Sequence, residues 1–256
     1  MKILTHASAA GALILALVAC AAEPATNPSA DGKLTMCTNA PYDPFEFDDN
    51  GKIVGFDVDL VGLVAKETGQ QLEVVNTDFD AIQNGSALRN GTCEIAAAGL
   101  TITDQRKRDL DFSAPYFDAT QAVMTRKGSK IHSLDDVKQG KVGVQTGTTG
   151  LDFVKSKGLE SVKYDDSLQQ LIALQTGQVD ALVQDRPVIA VWLTKLKLGG
   201  ELKVADSLET GEQYGIAVRK GDAKLLTSVD KALSTAKANG SYAQLYTRWF
   251  GVKPAA

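Results

Sequence analysis

The chain has 256 residues and a formal net charge of −4, with 44% hydrophobic residues but only two histidines and three cysteines. That length suits one large domain or two of about 100 residues, and either can bury a proper core. The acidic balance argues against a nucleic-acid binder, and the scarcity of His and Cys against zinc sites and most general-base or thiol mechanisms.

Lys2 precedes an apolar run from Ala9 to Ala19 that is too short to span a bilayer, and Cys20 follows directly. A charged start and an apolar middle read as a secretory signal over residues 1–19. Its end, Leu17-Val18-Ala19-Cys20, resembles the lipobox of bacterial lipoproteins, which implies acylation of Cys20 and a lipid anchor in the membrane. Cleavage after another small residue, with Cys20 incidental, is the alternative. Residues 20–32 are rich in Pro, Ala and polar side chains without periodicity, the composition of a disordered tether. Losing Lys2 and His6 with the signal leaves a net charge of about −5 and one histidine, His132. Exported space permits disulfides, so Cys37 and Cys93 either form a bridge or stay as two buried thiols.

From Lys33 onward, strand-like runs alternate with segments of helical period. Lys33 to Thr38 is a strand candidate; then Phe56, Leu60, Leu63 and Val64 recur at helical spacing, with Asp57 as the N-cap. Gln71 to Asn76 reads as a strand, and Phe79 to Arg89 as a helix stopped by Asn90-Gly91. Glu94 to Gly99 reads as a buried strand. The alternation resumes with strands at 141–145, 162–164 and 180–183 and helices at 148–157 and 167–176. Such alternation indicates an α/β protein with largely parallel sheets.

Two internal echoes divide the body. A helix, an acidic residue, an apolar strand and a polar turn occur at Asn90 to Thr103 and again at Thr176 to Pro187, as in two lobes of one design. Gln121 to Gly128 and Tyr214 to Asp222 are each an apolar strand closed by Arg-Lys-Gly, suited to a double crossover between lobes. The last helices, 223–239 and 241–249, then return to the first lobe. The expected division is 33–120 for the first lobe, 121–213 for the second and 214–252 for the return.

In open α/β sheets, ligands bind beyond the carboxyl ends of the strands, and both Gly99 to Arg106 and Gln184-Asp185 follow such ends. With Thr103 as cap, Arg106 sits in a first helical turn, where a carboxylate meets guanidinium and free N–H groups together. A solvated basic face of Arg106, Lys107 and Arg108 is the alternative. Asp185 supplies the opposite charge for an ammonium group, or else simply forms the turn before Arg186-Pro187. Val142 to Gly150 places glycines and hydroxyls at a strand-to-helix junction, where Thr148 or Thr149 can cap an anion nest. It lacks the Gly-Lys-Ser/Thr ending of a phosphate loop, and a plain glycine turn is the alternative. Tyr42 and Phe79 are candidate platforms, whereas Phe45 and Phe47 read as core. No HExxH, GxSxG or CxxC pattern occurs, and His132 reads as part of a surface turn before a helix.

Taken in order, Pro41 to Phe47 (PYDPFEF), Gly55 to Leu60 (GFDVDL), Ala96 to Tyr116, VGVQTGTTG, Gly177 to Pro187 and Tyr246 to Gly251 resemble one family. It is the polar amino-acid-binding group of bacterial extracellular solute-binding proteins, which feed ABC importers. The likeness runs from about Lys33 to Val252. It implies a two-lobed, periplasmic-binding-protein-like α/β fold of type II, each lobe a mostly parallel sheet flanked by helices. It further implies a free amino acid as ligand, an importer permease as partner, no cofactor or metal, no catalysis and no nucleic acid. A monomer on the outer side of the cell membrane is expected.

At matching positions, the resemblance implies that Arg106 clamps the ligand α-carboxylate with Thr101 and the backbone of Thr149. Asp185 and the Gly99 carbonyl would hold the α-ammonium, while Tyr42 and Phe79 enclose the aliphatic part and Thr148 belongs to the capping turn. Asn39, Gln145 and Gln184 would face the ligand side chain. These are uncharged amides, so a glutamine-like ligand is favoured, with a basic amino acid second. Asp43, Asp78 or Glu212 would restore the basic reading if they point inward. A dehydratase of cyclic carboxylates on the same fold and a ligand-sensing receptor module are the competing classes.

Overall fold

The computed structural model describes residues 32–138 and 140–254. The expected signal at 1–19, Cys20 and the tether up to residue 31 lie outside the described residues. The chain begins with β1 (Lys33–Thr38), a hairpin of β2 (Phe47–Asp49) and β3 (Lys52–Val54), α1 (Phe56–Thr68) and β4 (Gln71–Asn76). Next come α2 (Phe79–Gln83), α3 (Ser86–Arg89), β5 (Ile95–Ala96) and β6 (Leu110–Phe112). A second group follows: β7 (Phe117–Arg126), β8 (Val142–Gln145), α4 (Thr149–Ser156), β9 (Ser161–Tyr164) and α5 (Ser167–Gln175). It ends with β10 (Ala181–Asp185), α6 (Arg186–Thr194) and β11 (Leu202–Tyr214). The chain closes with β12 (Ala217–Arg219), α7 (Ala223–Ala238) and α8 (Ser241–Phe250).

These strands make two five-stranded sheets, ordered β4-β1-β5-β12-β6 and β11-β7-β10-β8-β9. In each sheet one strand runs against the rest, β12 in the first and β7 in the second. Both odd strands follow a crossing between sheets. The chain leaves the first sheet through Ser113 to Tyr116 and returns through Gly215-Ile216. The two crossings lie side by side: Ser113 N–H donates to Ile216 O at 2.9 Å and Tyr116 N–H to Tyr214 O at 3.0 Å. The first crossing strand begins earlier than its Arg-Lys-Gly signature predicts. Phe117 and Ala119 are already buried and paired with Tyr214 and Glu212, so the ladder starts at Phe117.

Helices α7 and α8 return to pack on α1. An aromatic cluster ties this corner to the crossings: Phe45 lies 5.0 Å from Phe117, Phe117 5.2 Å from Phe250 and Phe56 5.1 Å from Phe250. Each fully buried ring contributes roughly 1.5–3 kcal/mol. Phe47, expected in the core, is instead half-buried against Trp249 at 5.7 Å. Among the described residues, no helix is long and apolar enough to cross a membrane.

Three local expectations change. Asp57 does not cap α1: Gly55 holds that position with φ 147°, and a side chain there would put Cβ 2.0 Å from Phe45 O. The Asp57 carboxylate turns inward instead. The helix over 79–89 breaks at Gly85, whose φ of 76° is left-handed, into the short helices α2 and α3. The strand over 94–99 pairs only at Ile95–Ala96, because the chain turns away at Gly99, with φ 53°.

Cys37 and Cys93 are bonded, with Cα atoms 5.6 Å apart. The parallel pairing of β1 with β5 brings them together. Their separation of 56 residues closes a long loop, worth about 4 kcal/mol in chain entropy. The double variant Cys37→Ala/Cys93→Ala should therefore lose about 4 kcal/mol in urea unfolding; an unchanged midpoint would show that the bridge contributes nothing.

Candidate ligand-binding site

The carboxyl ends of both sheets converge on one cavity. Asn39, Tyr42, Phe79, Gly99, Thr101 and Arg106 line it from the first lobe, and Gln145, Thr148, Thr149, Gln184 and Asp185 from the second. The residues singled out from sequence are thus brought together. Glu46 and Gln121 also line it, and neither was singled out.

Arg106 is buried, 4% exposed, rather than part of a solvated basic face. Its Nη1 donates to Thr101 O at 2.8 Å in its own lobe, and its Nη2 to Gly147 O at 2.9 Å in the other. Its guanidinium carbon stands 5.5 Å from the Phe79 ring centroid. Thr103 Oγ1 accepts from Arg106 N–H at 3.1 Å, as expected of a cap. The segment it starts is, however, a single 3-10 turn at Arg106–Arg108, so no long helix adds its dipole here. Burial lowers the guanidinium pKa to about 10, with Glu212 the strongest of the charges opposing that shift. It remains cationic at neutral pH.

Asp185 ends β10 and is 7% exposed. Its side chain does not cap α6. Tyr42 OH donates to Asp185 Oδ2 at 2.6 Å, and Tyr214 OH donates to the same oxygen. Burial pushes the Asp185 pKa up, while the two phenols and Arg106 pull it down. Tyr42 and Asp185 belong to different lobes, so this contact crosses the cleft. The amides Gln145 and Asn39 cross it too, Gln145 Nε2 donating to Asn39 Oδ1 at 2.9 Å. Gln184 lines the cavity and is also bound within its own lobe. Its Oε1 accepts from Asp185 N–H at 2.7 Å and its Nε2 donates to Gln170 Oε1 at 3.1 Å, so its amide holds the strand end in place.

Thr148, not Thr149, caps α4, accepting from Leu151 N–H at 3.2 Å. The Thr149 hydroxyl is left facing the cleft, where it donates to Glu212 Oε2 at 3.1 Å. Thr101 Oγ1 donates to the same oxygen at 3.4 Å. Of the three acids considered from sequence, Glu212 thus binds side chains that line the cavity without lining it itself. Asp43 pairs with Lys195 at 3.1 Å, and Asp78 is exposed.

Gly99 has a steric reason to be glycine: a Cβ there would lie 2.8 Å from Tyr42 Cε1. Its N–H donates to Asp57 Oδ2 at 2.9 Å, and Tyr116 OH donates to that oxygen at 2.7 Å. Asp57 therefore fixes the turn that presents the Gly99 carbonyl. Burial raises the Asp57 carboxyl to about 7 despite both hydrogen bonds. Glu46 lies nearby, fully buried and with neither carboxyl oxygen hydrogen-bonded; burial first and Asp57 second push it well above the usual range. An acid between two phenylalanines was the available signal for it in the sequence.

Residues 34–252 match the family described as bacterial extracellular solute-binding proteins, family 3. The chain belongs to that family. A probable histidine-binding protein of Neisseria gonorrhoeae is 39% identical over 95% of this chain and 94% of its own length. An ABC transporter arginine-binding protein of Escherichia coli K12 is 31% identical over 87% and 92%. A solved ancestral arginine-binding protein, captured with arginine and also with glutamine, superposes with a TM-score of 0.81. It is 42% identical and covers 86% of this chain and 99% of its own. The α/β fold, two sheets flanked by helices, is that of the type II periplasmic amino-acid-binding proteins. The family is one of extracellular solute-binding proteins and the E. coli relative is an ABC transporter binding protein, which implies an extracytoplasmic setting.

The raised Asp57 carboxyl has a consequence for stability. Below about pH 4 it is protonated in both folded and unfolded chains. Between there and about 7 only the unfolded chain has ionised, so stability falls as pH rises. Asp57→Asn keeps an acceptor for Gly99 and Tyr116 but removes the proton. Relative to this variant, wild type should lose up to about 1.4 kcal/mol per pH unit between pH 5 and 7 in urea titrations. Parallel pH profiles would contradict the shift.

Proposed function

We propose that this protein captures a basic L-amino acid between its lobes and hands it to the permease of an ABC importer. One observation supports this most: a buried guanidinium and a buried carboxylate, Arg106 and Asp185, line one cavity from opposite lobes. A zwitterion needs such a pair at fixed separation, and charge-assisted contacts contribute roughly 1.5–3 kcal/mol each. Because the two charges lie on different lobes, the ligand gains both only when the lobes are together, so capture and closure are one event.

The choice of a basic ligand over glutamine reverses the order drawn from the amides alone. It rests on the histidine- and arginine-binding relatives and on the chemistry of Asn39 and Gln145, whose oxygens suit imidazole or guanidinium N–H donors. Glutamine stays second, in keeping with the ancestral relative captured with it. The dehydratase and receptor readings are set aside, because the relatives are transport binding proteins. We further infer a monomer tethered through an acylated Cys20, with lobe boundaries at the crossings, near 33–116, 117–214 and 215–252 rather than at 120 and 213.

A calorimetric screen of the twenty amino acids against the mature chain tests this. Arginine, lysine or histidine should bind, and Arg106→Ala should cost about 3–5 kcal/mol of that affinity by stranding the ligand carboxylate. Preference for a neutral amino acid would refute the basic assignment, and undiminished binding by Arg106→Ala would refute the clamp.

A further inference from the structure

Strand β11 does not keep an even register with β7. Leu208 pairs with Gln121 and Glu212 with Ala119, so residues 209–211 of β11 stand opposite Thr120 alone. Gly211 takes the left-handed conformation this bulge needs, φ 64°. The bulge sets Glu212 at the pivot, where its carboxylate meets both lobes. Its Oε2 accepts from Thr149 Oγ1 at 3.1 Å, Gln121 Nε2 at 3.2 Å and Thr101 Oγ1 at 3.4 Å.

Thr101 and Thr149 are the hydroxyl residues beside Arg106, on the ground assigned above to the ligand carboxylate. Each hydroxyl has one proton, and both are directed at Glu212. An internal carboxylate therefore already acts on Arg106, the one cation lining the cavity among the described residues. The charges that matter are then Arg106, Asp185 and Glu212, which sum to −1. Burial and then Asp57 push the Glu46 carboxyl up with neither oxygen hydrogen-bonded, whereas at Glu212 burial and Asp185 push up against Thr149, Thr101 and Arg106, which favour the carboxylate. A zwitterionic ligand leaves the closed site at −1, whereas a cationic amino acid brings it to zero. Burying an uncompensated charge is costly.

Resting on the reading of this cavity as an amino-acid site, we propose that Glu212 is its charge selector: by offsetting Arg106, it makes tight capture depend on a net positive ligand. Its direct partners are the hydroxyl and amide groups named above, and the ligand carboxylate would be its neighbour rather than its partner. Removing the charge should favour neutral amino acids and leave the carboxylate clamp itself in place.

The experiment compares the mature chain with Glu212→Gln and Glu212→Asp by calorimetry, using L-arginine and L-citrulline, which has nearly the same shape but a neutral side chain. If wild type does not bind arginine, the basic amino acid it does bind is compared with glutamine instead. Glu212→Gln should narrow the basic-to-neutral affinity ratio by about tenfold, through tighter neutral binding. Glu212→Asp should keep the wild-type ratio. An unchanged ratio in Glu212→Gln, or equal weakening of both ligands, would reduce Glu212 to a structural hinge residue and overturn the proposal. Wild type preferring neutral ligands would instead overturn the basic reading; Glu212→Gln would still decide the role of Glu212 by whether neutral binding tightens. Absence of binding by every amino acid would end both.

Discussion

A guanidinium held away from water governs this architecture. Arg106 stays cationic at neutral pH because nearby charges, Glu212 first, offset part of the cost of burial, while the carbonyl oxygens of Thr101 and Gly147, one from each lobe, accept hydrogen bonds from it. That requirement fixes where the strand ends must come and how far the lobes must close. Of the five guanidinium donors, the two carbonyls occupy only some, so the proposed ligand carboxylate would have N–H groups to meet. The Phe79 ring beneath Arg106 and the capped turn at Thr103 hold it in that position.

The rest of the molecule is arranged to bring an opposite charge to the same place. Asp185 reaches it from the second sheet, steadied by phenols from two separate segments, Tyr42 and Tyr214. Tyr214 ends β11 at the return crossing, so a residue that donates to Asp185 also stands where the chain passes between the sheets. The aromatic cluster around Phe45 and Phe117 stiffens the same crossing. Cavity and crossings are therefore built from shared side chains, so the proposed capture of a ligand would be coupled to the way the two sheets are joined.

Much of this was legible in the sequence, because periodicity and strand-end position are local properties. β1, β4 and α5 lie close to where the apolar pattern puts them, and the candidate ligand residues converge. What was illegible depends on distant partners. Asp57 looks like a helix cap because its neighbours are helical; only Gly99 and Tyr116, far along the chain, reveal it as a buried brace. Gln184 lines the cavity as its place at a strand end suggests, but its bond to Gln170 depends on a separate helix. Glu212 depends on a bulge that no short-range pattern announces, and the full burial of Glu46 shows only in the fold, although its place between two phenylalanines hints at it. The disulfide stayed open for the same reason: strand adjacency, not spacing, decides it.

The central claim is that Arg106 recognises the carboxylate of a bound amino acid. A thermodynamic cycle tests it directly: wild type and Arg106→Gln are each titrated with the amino acid that binds and with its decarboxylated amine. The account predicts that the substitution weakens the amino acid by a hundredfold or more, on the order of 3 kcal/mol, and barely changes the amine. Equal losses for both ligands would contradict it, placing Arg106 in the framework of the closed cleft and not in the clamp.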